Sequence, residues 1–184
     1  QWVDLGLSVE WAGWNVGANS PEEYGGYYSW GETEEWDGSY EHLDDDAINN
    51  LKYIGNEISG TKYDVAHVKW GGGARMPVCK EIRELQLCNR ITWNSDSYSG
   101  FFIVGTNGNS IFLPRAGFKQ KLSSGGVIHD EGMVGYYYAG TLHNAQSLYE
   151  GACGFRIQLS LQLFCNDSRG RTAGYSVRPV RDKQ

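Results

Sequence analysis

The segment "CNDSRGRTA", residues 165–173, concentrates side chains that recognise ligands without covalent chemistry. Guanidinium groups donate forked hydrogen bonds, amides and carboxylates supply single ones, and a preceding aromatic ring offers an apolar anchor. The candidate ligand-binding residues here are Phe164, Asn166, Asp167, Ser168, Arg169 and Arg171. A solvated turn between two strands is the alternative interpretation of the same residues.

A second candidate surface lies in "YYYAGTLHNAQSLYEGACG", residues 136–154. It mixes polar and aromatic side chains, as binding surfaces do, and tyrosine offers a large contact area and a hydroxyl group at a small entropic cost. The candidates in this stretch are Leu142, His143, Asn144, Ser147 and Tyr149. The alternative is a long surface loop without a role in binding.

Residue patterns of common enzymes do not occur in the sequence. It contains no Gly-x-Ser-x-Gly, no His-Glu-x-x-His and no phosphate-binding loop. The carboxylate pairs Glu22–Glu23 and Glu34–Glu35 fall in turn-like stretches and are interpreted as solvated surface. The scattered histidines are predicted to be surface or core residues rather than bases: His42, His67, His129 and His143. We therefore expect a protein that is not an enzyme and uses no cofactor.

The cysteines do not form a zinc-binding pattern, because no Cys-x-x-Cys occurs. Cys79 and Cys88 flank a predicted helix whose length, roughly 13 Å, exceeds the reach of a disulfide. Cys153 and Cys165 could bridge two neighbouring strands, although half-buried free thiols are the favoured interpretation.

The composition indicates one loop-rich globular domain over residues 1–184. Gly accounts for 25 residues, Trp for 7 and Tyr for 12, which is typical of short strands and long loops rather than disorder. The net charge of −6 argues against a nucleic-acid partner, and no apolar run is long enough to insert into a membrane. Because the chain begins at Gln1, we expect a processed or excised form whose signal or anchor segment is not in this sequence.

Two helices and several short strands are predicted to position these surfaces, which is an α+β plan. "KYDVAHVKWGGG" predicts a short helix with Val65, Val68 and the Lys69 stem on one face, ended by glycines 71–73. "MPVCKEIRELQLC" predicts the main helix, with Pro77 in its first turn. "SPEE" predicts one further helical turn before an aromatic strand, and residues 37–62 are predicted to be mostly loop.

The strands are expected to be antiparallel. "WVDLGLSVEWAGWNVG" predicts an opening strand pair, and "SGFFIVGTNGNSIFLPRAGF" predicts a hairpin with Asn107-Gly108 as a two-residue turn. "VGYYYAGTL", "GFRIQLSLQLF" and "GYSVRPV" each predict one more strand.

Five separated blocks of the chain together resemble one family, the Fibrobacter-succinogenes-type major paralogous domain of secreted Bacteroidetes proteins. The blocks are "VDLGLSVEWAGWNVGANSPEEYGGYYSWGET", "AHVKWGGGARMP", "TNGNSIFLPRAGF", "GYYYAG" and "GYSVRPV", in that order from residue 2 to residue 180. The family is related to formylglycine-generating enzymes. The resemblance implies a C-type-lectin-like fold, with two helices, mostly antiparallel short strands and long loops.

The resemblance also implies a function. Some relatives are variable proteins of diversity-generating retroelements, in which errors at template adenines diversify codons for residues on the ligand-binding face. Such codons cannot yield Lys, Glu, Gln, Met or Trp, and none of these occurs from Leu163 to Tyr175. We therefore expect a variable ligand-binding module for a protein or glycan, secreted or on a cell surface or phage virion. The alternative is a non-variable adhesion or carbohydrate-contacting domain of the same family.

Departures from the family pattern refine the candidate sites. Relatives tend to have Gly-Tyr-Tyr-Trp-Ser-Ser where this chain departs at Tyr138 and Gly140. Diversification would produce these departures and adds the two residues to the ligand-binding candidates, and simple sequence drift is the alternative. Relatives often carry Arg three positions before the terminal block, so Arg171 has a scaffold role as an alternative. The copper-holding cysteine pair of formylglycine-generating enzymes is not matched, because Cys153 and Cys165 are twelve residues apart.

Calcium-dependent sugar binding is not expected from this chain. Lectins that use calcium carry Glu-Pro-Asn or Gln-Pro-Asp, and the neighbours of Pro21, Pro77, Pro114 and Pro179 do not fit. The acidic run in "HLDDDAINN" is interpreted as a charge cluster capping a short helix rather than a calcium loop. No metal site is therefore predicted.

Overall fold

A computed structural model of the chain describes residues 1–38, 54–95, 97–120, 127–142, 151–164 and 171–184. In these ranges two α-helices accompany small antiparallel sheets, so the α+β prediction is confirmed. The helices are α1 (Val65–Trp70) and α2 (Cys79–Leu85). The strands are β1 (Trp2–Asp4), β2 (Val9–Ala12), β3 (Asn89–Asn94), β4 (Ser99–Val104), β5 (Ser110–Pro114), β6 (Phe118–Lys119), β7 (Ile128–His129), β8 (Gly135–Leu142), β9 (Ala152–Ile157), β10 (Leu161–Phe164) and β11 (Val180–Asp182).

The sheets bring the two ends of the chain together. β2 pairs with β1 on one side and with the C-terminal β11 on the other, so the predicted opening strand pair is confirmed and gains a third strand. The remaining sheets have the orders β3-β4-β5, β10-β9-β8 and β6-β7. Every pairing within these sheets is antiparallel.

Local sequence signals explain both helices. Asp64 caps α1, since its Oδ1 accepts hydrogen bonds from the backbone N–H groups of Ala66 and His67. α1 stops at Gly71, the first of three consecutive glycines with positive φ. The backbone N–H that precedes α2, that of Val78, donates to Glu81 Oε2 at 2.9 Å.

Several predicted details are wrong. Val68 is 51% exposed, so the buried face of α1 consists of Val65 and Ala66. Residues 21–23 form turns and not a helical turn. The β4–β5 loop spans residues 105–109 and is longer than the predicted two-residue turn. In it the Gly105 N–H bonds to the Asn109 carbonyl and Gly108 takes a φ of 85°. The stretch "GFRIQLSLQLF" folds back on itself as β9 and β10.

Two hydrophobic cores flank β8, which is why this strand is buried along most of its length. Tyr137 and Ala139 face the first core, which β4, β5, β9 and α2 complete. Tyr136 and Tyr138 face the second core, which α1 and the C-terminal tail complete. Successive side chains of β8 point to opposite faces, so this one strand contributes to both cores.

The cysteine predictions have two outcomes. Cys88 is a buried free thiol, so no disulfide joins it to Cys79, as expected. Cys165 lies outside the described residues, so the alternative of a disulfide between Cys153 and Cys165 is not tested. In the described part of the chain, no helix is long and apolar enough to cross a membrane.

Candidate ligand-binding surface

The C-terminal tail, defined as residues 173–180, is buried throughout. It was predicted as a strand, but it runs through isolated bridges and becomes regular only at β11. Tyr175 exchanges two backbone hydrogen bonds with Tyr28, at 2.9 and 3.0 Å. On the opposite side, the Ser176 N–H donates to the Tyr136 carbonyl and the Ser176 carbonyl accepts from Tyr138. The tail therefore fills the gap between the N-terminal half and β8.

Arg178 fixes the tail from within the protein interior. Its side chain is fully buried and donates to Asn15 Oδ1 at 2.8 Å and to the carbonyls of Ala12 at 3.1 Å and Phe112 at 2.8 Å. These three acceptors are uncharged. Burial therefore dominates and lowers the pKa of Arg178 to about 10, while the Tyr137 hydroxyl partly offsets this effect.

The Tyr175 ring forms the centre of an aromatic cluster in the second core. Its centroid lies 4.4 Å from that of Tyr138, 5.3 Å from Tyr136, 5.7 Å from Phe164 and 6.0 Å from Phe118. Three of these contacts are tilted or edge-to-face, the geometry that aromatic pairs prefer. The ring thus connects the tail to β6, β8 and β10.

The residues just before the tail are held by an aromatic segment of the N-terminal half. The Arg171 carbonyl accepts from the Trp30 N–H at 3.0 Å, and the Arg171 guanidinium lies 5.7 Å from the Trp30 ring centroid. The Thr172 carbonyl accepts from Ser29 Oγ at 2.9 Å and from Trp36 Nε1 at 3.0 Å. These contacts favour the scaffold alternative for Arg171. These contacts were not predicted from the sequence, although the aromatic residues of "YYSWGETEEW" indicate a buried segment there.

Two of the predicted ligand-binding residues lie in the core, and their prediction is wrong. Tyr138 is 1% exposed and its hydroxyl donates to the Ala173 carbonyl at 2.9 Å. Gly140 is buried, and a Cβ atom there would lie 2.5 Å from Glu57 Oε1. The pairing of β8 with β9 shifts register between Tyr138 and Leu142, which turns the Gly140 backbone towards residues 57–59.

The other candidates fall into two groups. Leu142 and Phe164 are half-buried and pack against the second core. The rest lie outside the described residues: His143, Asn144, Ser147, Tyr149, Asn166, Asp167, Ser168 and Arg169.

The flanks of these two undescribed segments lie at one end of the same sheet. β8 ends at Leu142, β9 begins at Ala152 and β10 ends at Phe164. In the antiparallel order β10-β9-β8, Leu142 pairs with Ala152 while Phe164 pairs with Gly154. Leu142 and Phe164, the residues that precede segments 143–150 and 165–170, therefore lie at the same end of this sheet on either side of β9, and both pack against the second core.

Metal-ligating side chains do not cluster in the part of the chain that the structure describes. No three His, Cys, Asp or Glu side chains lie close enough to hold a metal ion in those ranges. His129 is engaged structurally, with Nε2 2.6 Å from the Gln120 carbonyl oxygen and its ring 5.2 Å from that of Phe118. Glu34 and Glu35 are exposed, and Glu34 contacts Lys69 at 3.9 Å. Comparisons of the chain with protein-family models, curated proteins and solved structures gave no match.

Proposed function

We propose that this chain is a ligand-binding module in which a rigid scaffold of C-type-lectin-like architecture displays residues 143–150 and 165–170. In this proposal it is a variable protein of a diversity-generating retroelement, and its partner is a protein or a glycan. The observation that supports it most is the shared origin of the two segments. Both leave the β10-β9-β8 sheet at the end marked by Leu142 and Phe164.

The anchoring on either side of residues 165–170 also favours this function. Before the segment, the Phe164 ring packs on the Tyr175 ring, and after it the backbones of Arg171 and Thr172 bond to Ser29, Trp30 and Trp36. Because both ends are held by groups outside the segment, its side chains can change while those anchors stay the same. A surface that diversifies requires this separation of scaffold and display.

The chemistry of the displayed residues suits non-covalent recognition. Asn, Asp, Ser and Arg side chains offer adaptable hydrogen bonds, and the aromatic residues His143 and Tyr149 offer contact area.

One comparison of gene copies tests the diversified function. The gene and its flanks are sequenced across the source population, and codons for residues 143–149 and 165–170 are compared between copies. We expect differences confined to adenines of a nearby template repeat, next to a reverse-transcriptase gene. Uniform codons without a template would refute diversification and leave the fixed adhesion or carbohydrate-contacting domain, for which glycan and protein arrays are the next measurement.

A stability measurement tests the separation of scaffold and display independently. Asn166, Asp167, Ser168 and Arg169 are replaced together by Ala, and the melting temperature is compared with that of the parent. We expect a change of at most about 4–8 °C, because four surface substitutions of at most about 0.5 kcal/mol each sum to about 2 kcal/mol, and each kcal/mol corresponds to about 2–4 °C for this chain length. A loss of about 10 °C or more would show that these residues belong to the scaffold.

A further inference from the structure

β3 is an exposed edge strand with little of the usual protection against pairing. All six of its residues are exposed, and it lies at one edge of the β3-β4-β5 sheet. Among the residues that the structure describes, no strand pairs with its outer side. Natural edge strands are commonly protected by charged side chains, especially Lys, by Pro or by a bulge. "NRITWN" contains neither Lys nor Pro, its one charged residue is Arg90, and its pairing with β4 is regular over all six positions.

An apolar ladder on the outer face of this sheet continues to the open edge. Phe112 and Phe102 lie with ring centroids 5.1 Å apart, and Phe102 contacts Trp93 edge-to-face at 6.1 Å. Ile91 lies directly opposite Phe102 in the pairing register. At the edge itself Ile91 is 55% exposed and Trp93 is 45% exposed. A neighbouring strand would therefore extend the ladder and cover both side chains.

The backbone groups that point outwards can be assigned from the hairpin. The Ser95 N–H bonds to the Tyr98 carbonyl at 2.9 Å, which makes residues 95 and 98 a hydrogen-bonded pair. Hydrogen-bonded and non-hydrogen-bonded pairs alternate along an antiparallel ladder. The backbone groups of Arg90, Thr92 and Asn94 therefore face the open edge, while those between them face β4.

We propose that β3 pairs antiparallel with β3 of a second copy of this chain, with Thr92 opposite Thr92 of the second copy. In this register Arg90 faces Asn94 of the second copy, so all three outward-facing positions exchange backbone hydrogen bonds. Ile91 then lies opposite Trp93 of the second copy at the closer, non-hydrogen-bonded positions. The pairing is isologous, because each copy contributes the same surface.

Two features together specify this register. The alternation of side chains excludes a slip by one residue, which would place the apolar positions Ile91 and Trp93 opposite polar positions of the other face. A slip by two residues keeps the faces but leaves one of the three outward-facing positions without its backbone partner. The Thr–Thr pair at the two-fold axis and the aromatic–aliphatic pairs beside it are combinations that stabilise antiparallel strands. This self-complementarity favours a second copy over an unrelated strand.

Charge and size define the strength of the association. β3 carries one cation and no carboxylate, whereas the chain as a whole has a net charge of −6. The two Arg90 residues lie four positions apart across the axis, about 13 Å along the strand and beyond a Debye length of about 8 Å. One strand pair belongs to the class of interfaces below about 1,200 Å², so the dimer is weak and concentration-dependent. Added salt strengthens it, since it screens repulsion between the two acidic chains.

Disulfide trapping tests the register directly. Residues in hydrogen-bonded pairs have Cα atoms about 5.5 Å apart, within disulfide range, so Thr92→Cys should form a covalent dimer under mild oxidation. Arg90→Cys is the matched control, because each residue 90 lies about 13 Å from its counterpart. The parent protein controls for the native cysteines. Equal trapping of both variants, or no trapping of Thr92→Cys above the parent, would overturn the proposal.

Sedimentation equilibrium supplies the second test. Asn94→Asp places a carboxylate opposite Arg90 of the second copy at two symmetric sites. Within its own chain residue 94 also contacts Arg115, whose Nη1 donates to Asn94 Oδ1 at 3.0 Å, so we expect dimerisation to tighten by about two- to fivefold. Adding Arg90→Glu to that variant should weaken the dimer below the parent level through facing carboxylates. Leu159→Asp, at an 89% exposed position elsewhere, is the control for added negative charge. A parent that stays monomeric at its highest concentration, with or without salt, refutes the proposal, as does Asn94→Asp behaving like the control.

Discussion

Replacement of Tyr175 by Ala should destabilise the protein strongly, because the ring joins the tail to three strands. Its side chain is fully buried, and four aromatic rings have centroids within 6.0 Å of it. Aromatic-to-alanine changes in protein cores cost about 3–5 kcal/mol, and each aromatic pair adds about 0.5–1.5 kcal/mol beyond its buried area. These contributions overlap, so we expect a loss of about 5 kcal/mol.

That loss is large against the total stability of a domain of this size. Domains unfold with about 5–15 kcal/mol, and for this chain length each kcal/mol corresponds to about 2–4 °C in melting temperature. The expected shift is therefore about 10–20 °C. Urea denaturation followed by tryptophan fluorescence measures the free energy of unfolding, and a thermal scan by circular dichroism measures the melting temperature.

The control is a substitution at an exposed position outside the tail. Leu159→Ala removes a side chain that is 89% exposed and should change the stability by less than about 0.5 kcal/mol. If Tyr175→Ala lost less than about 1 kcal/mol, the tail would not anchor the display surface. The tail would then not act as the rigid scaffold that the proposed function requires.

Three further perturbations test the polar groups inside the protein. Asp64→Asn should lower the free energy of unfolding, measured in urea, by about 2–4 kcal/mol. Asp64 Oδ2 accepts from the N–H groups of Gly60 and Met76 and Oδ1 accepts two more, whereas an amide nitrogen accepts none. A loss below about 1 kcal/mol would contradict this. Arg178→Met should cost about 3–5 kcal/mol by leaving three buried acceptors unpaired, and an unchanged melting temperature would refute it. Burial raises the pKa of Tyr137 to about 12, so its stabilising neutral form is complete below pH 10 and is lost as the pH rises from 10 to 12. Between pH 10 and 12 the free energy of unfolding of Tyr137→Phe should therefore fall by about 2–3 kcal/mol less than that of the parent. Parallel plots of unfolding free energy against pH for the two proteins would contradict the assignment.

The candidate surface was predictable in part. The polar segment before the tail and the mixed polar and aromatic stretch of residues 143–150 stand out in the sequence because their residue types lack the periodicity of buried strands. The placement of Tyr138 and Gly140 was not predictable from local pattern. A tyrosine suits a binding surface and a core equally well, and only the packing of the tail against β8 shows that Tyr138 bonds to the Ala173 carbonyl.

The elements that depend on neighbouring residues in the chain were determined by the sequence alone. Asp64 begins α1 and Gly71 ends it through hydrogen bonds and backbone angles that span only a few residues. The same holds for the run of three tyrosines that favours a strand at β8. Local chemistry is sufficient in these cases because the interacting groups are close together in the chain.

Only the tertiary structure decided which apolar faces are covered. β3 and β8 both carry aromatic and aliphatic side chains in strand-forming stretches, yet β3 is exposed at every position and β8 is buried from Gly135 to Gly140. The difference arises because β8 pairs with the tail on one side and with β9 on the other, whereas among the described residues β3 pairs only with β4. Burial depends on segments that are distant in the chain, and a strand's own residues do not encode which segments those are.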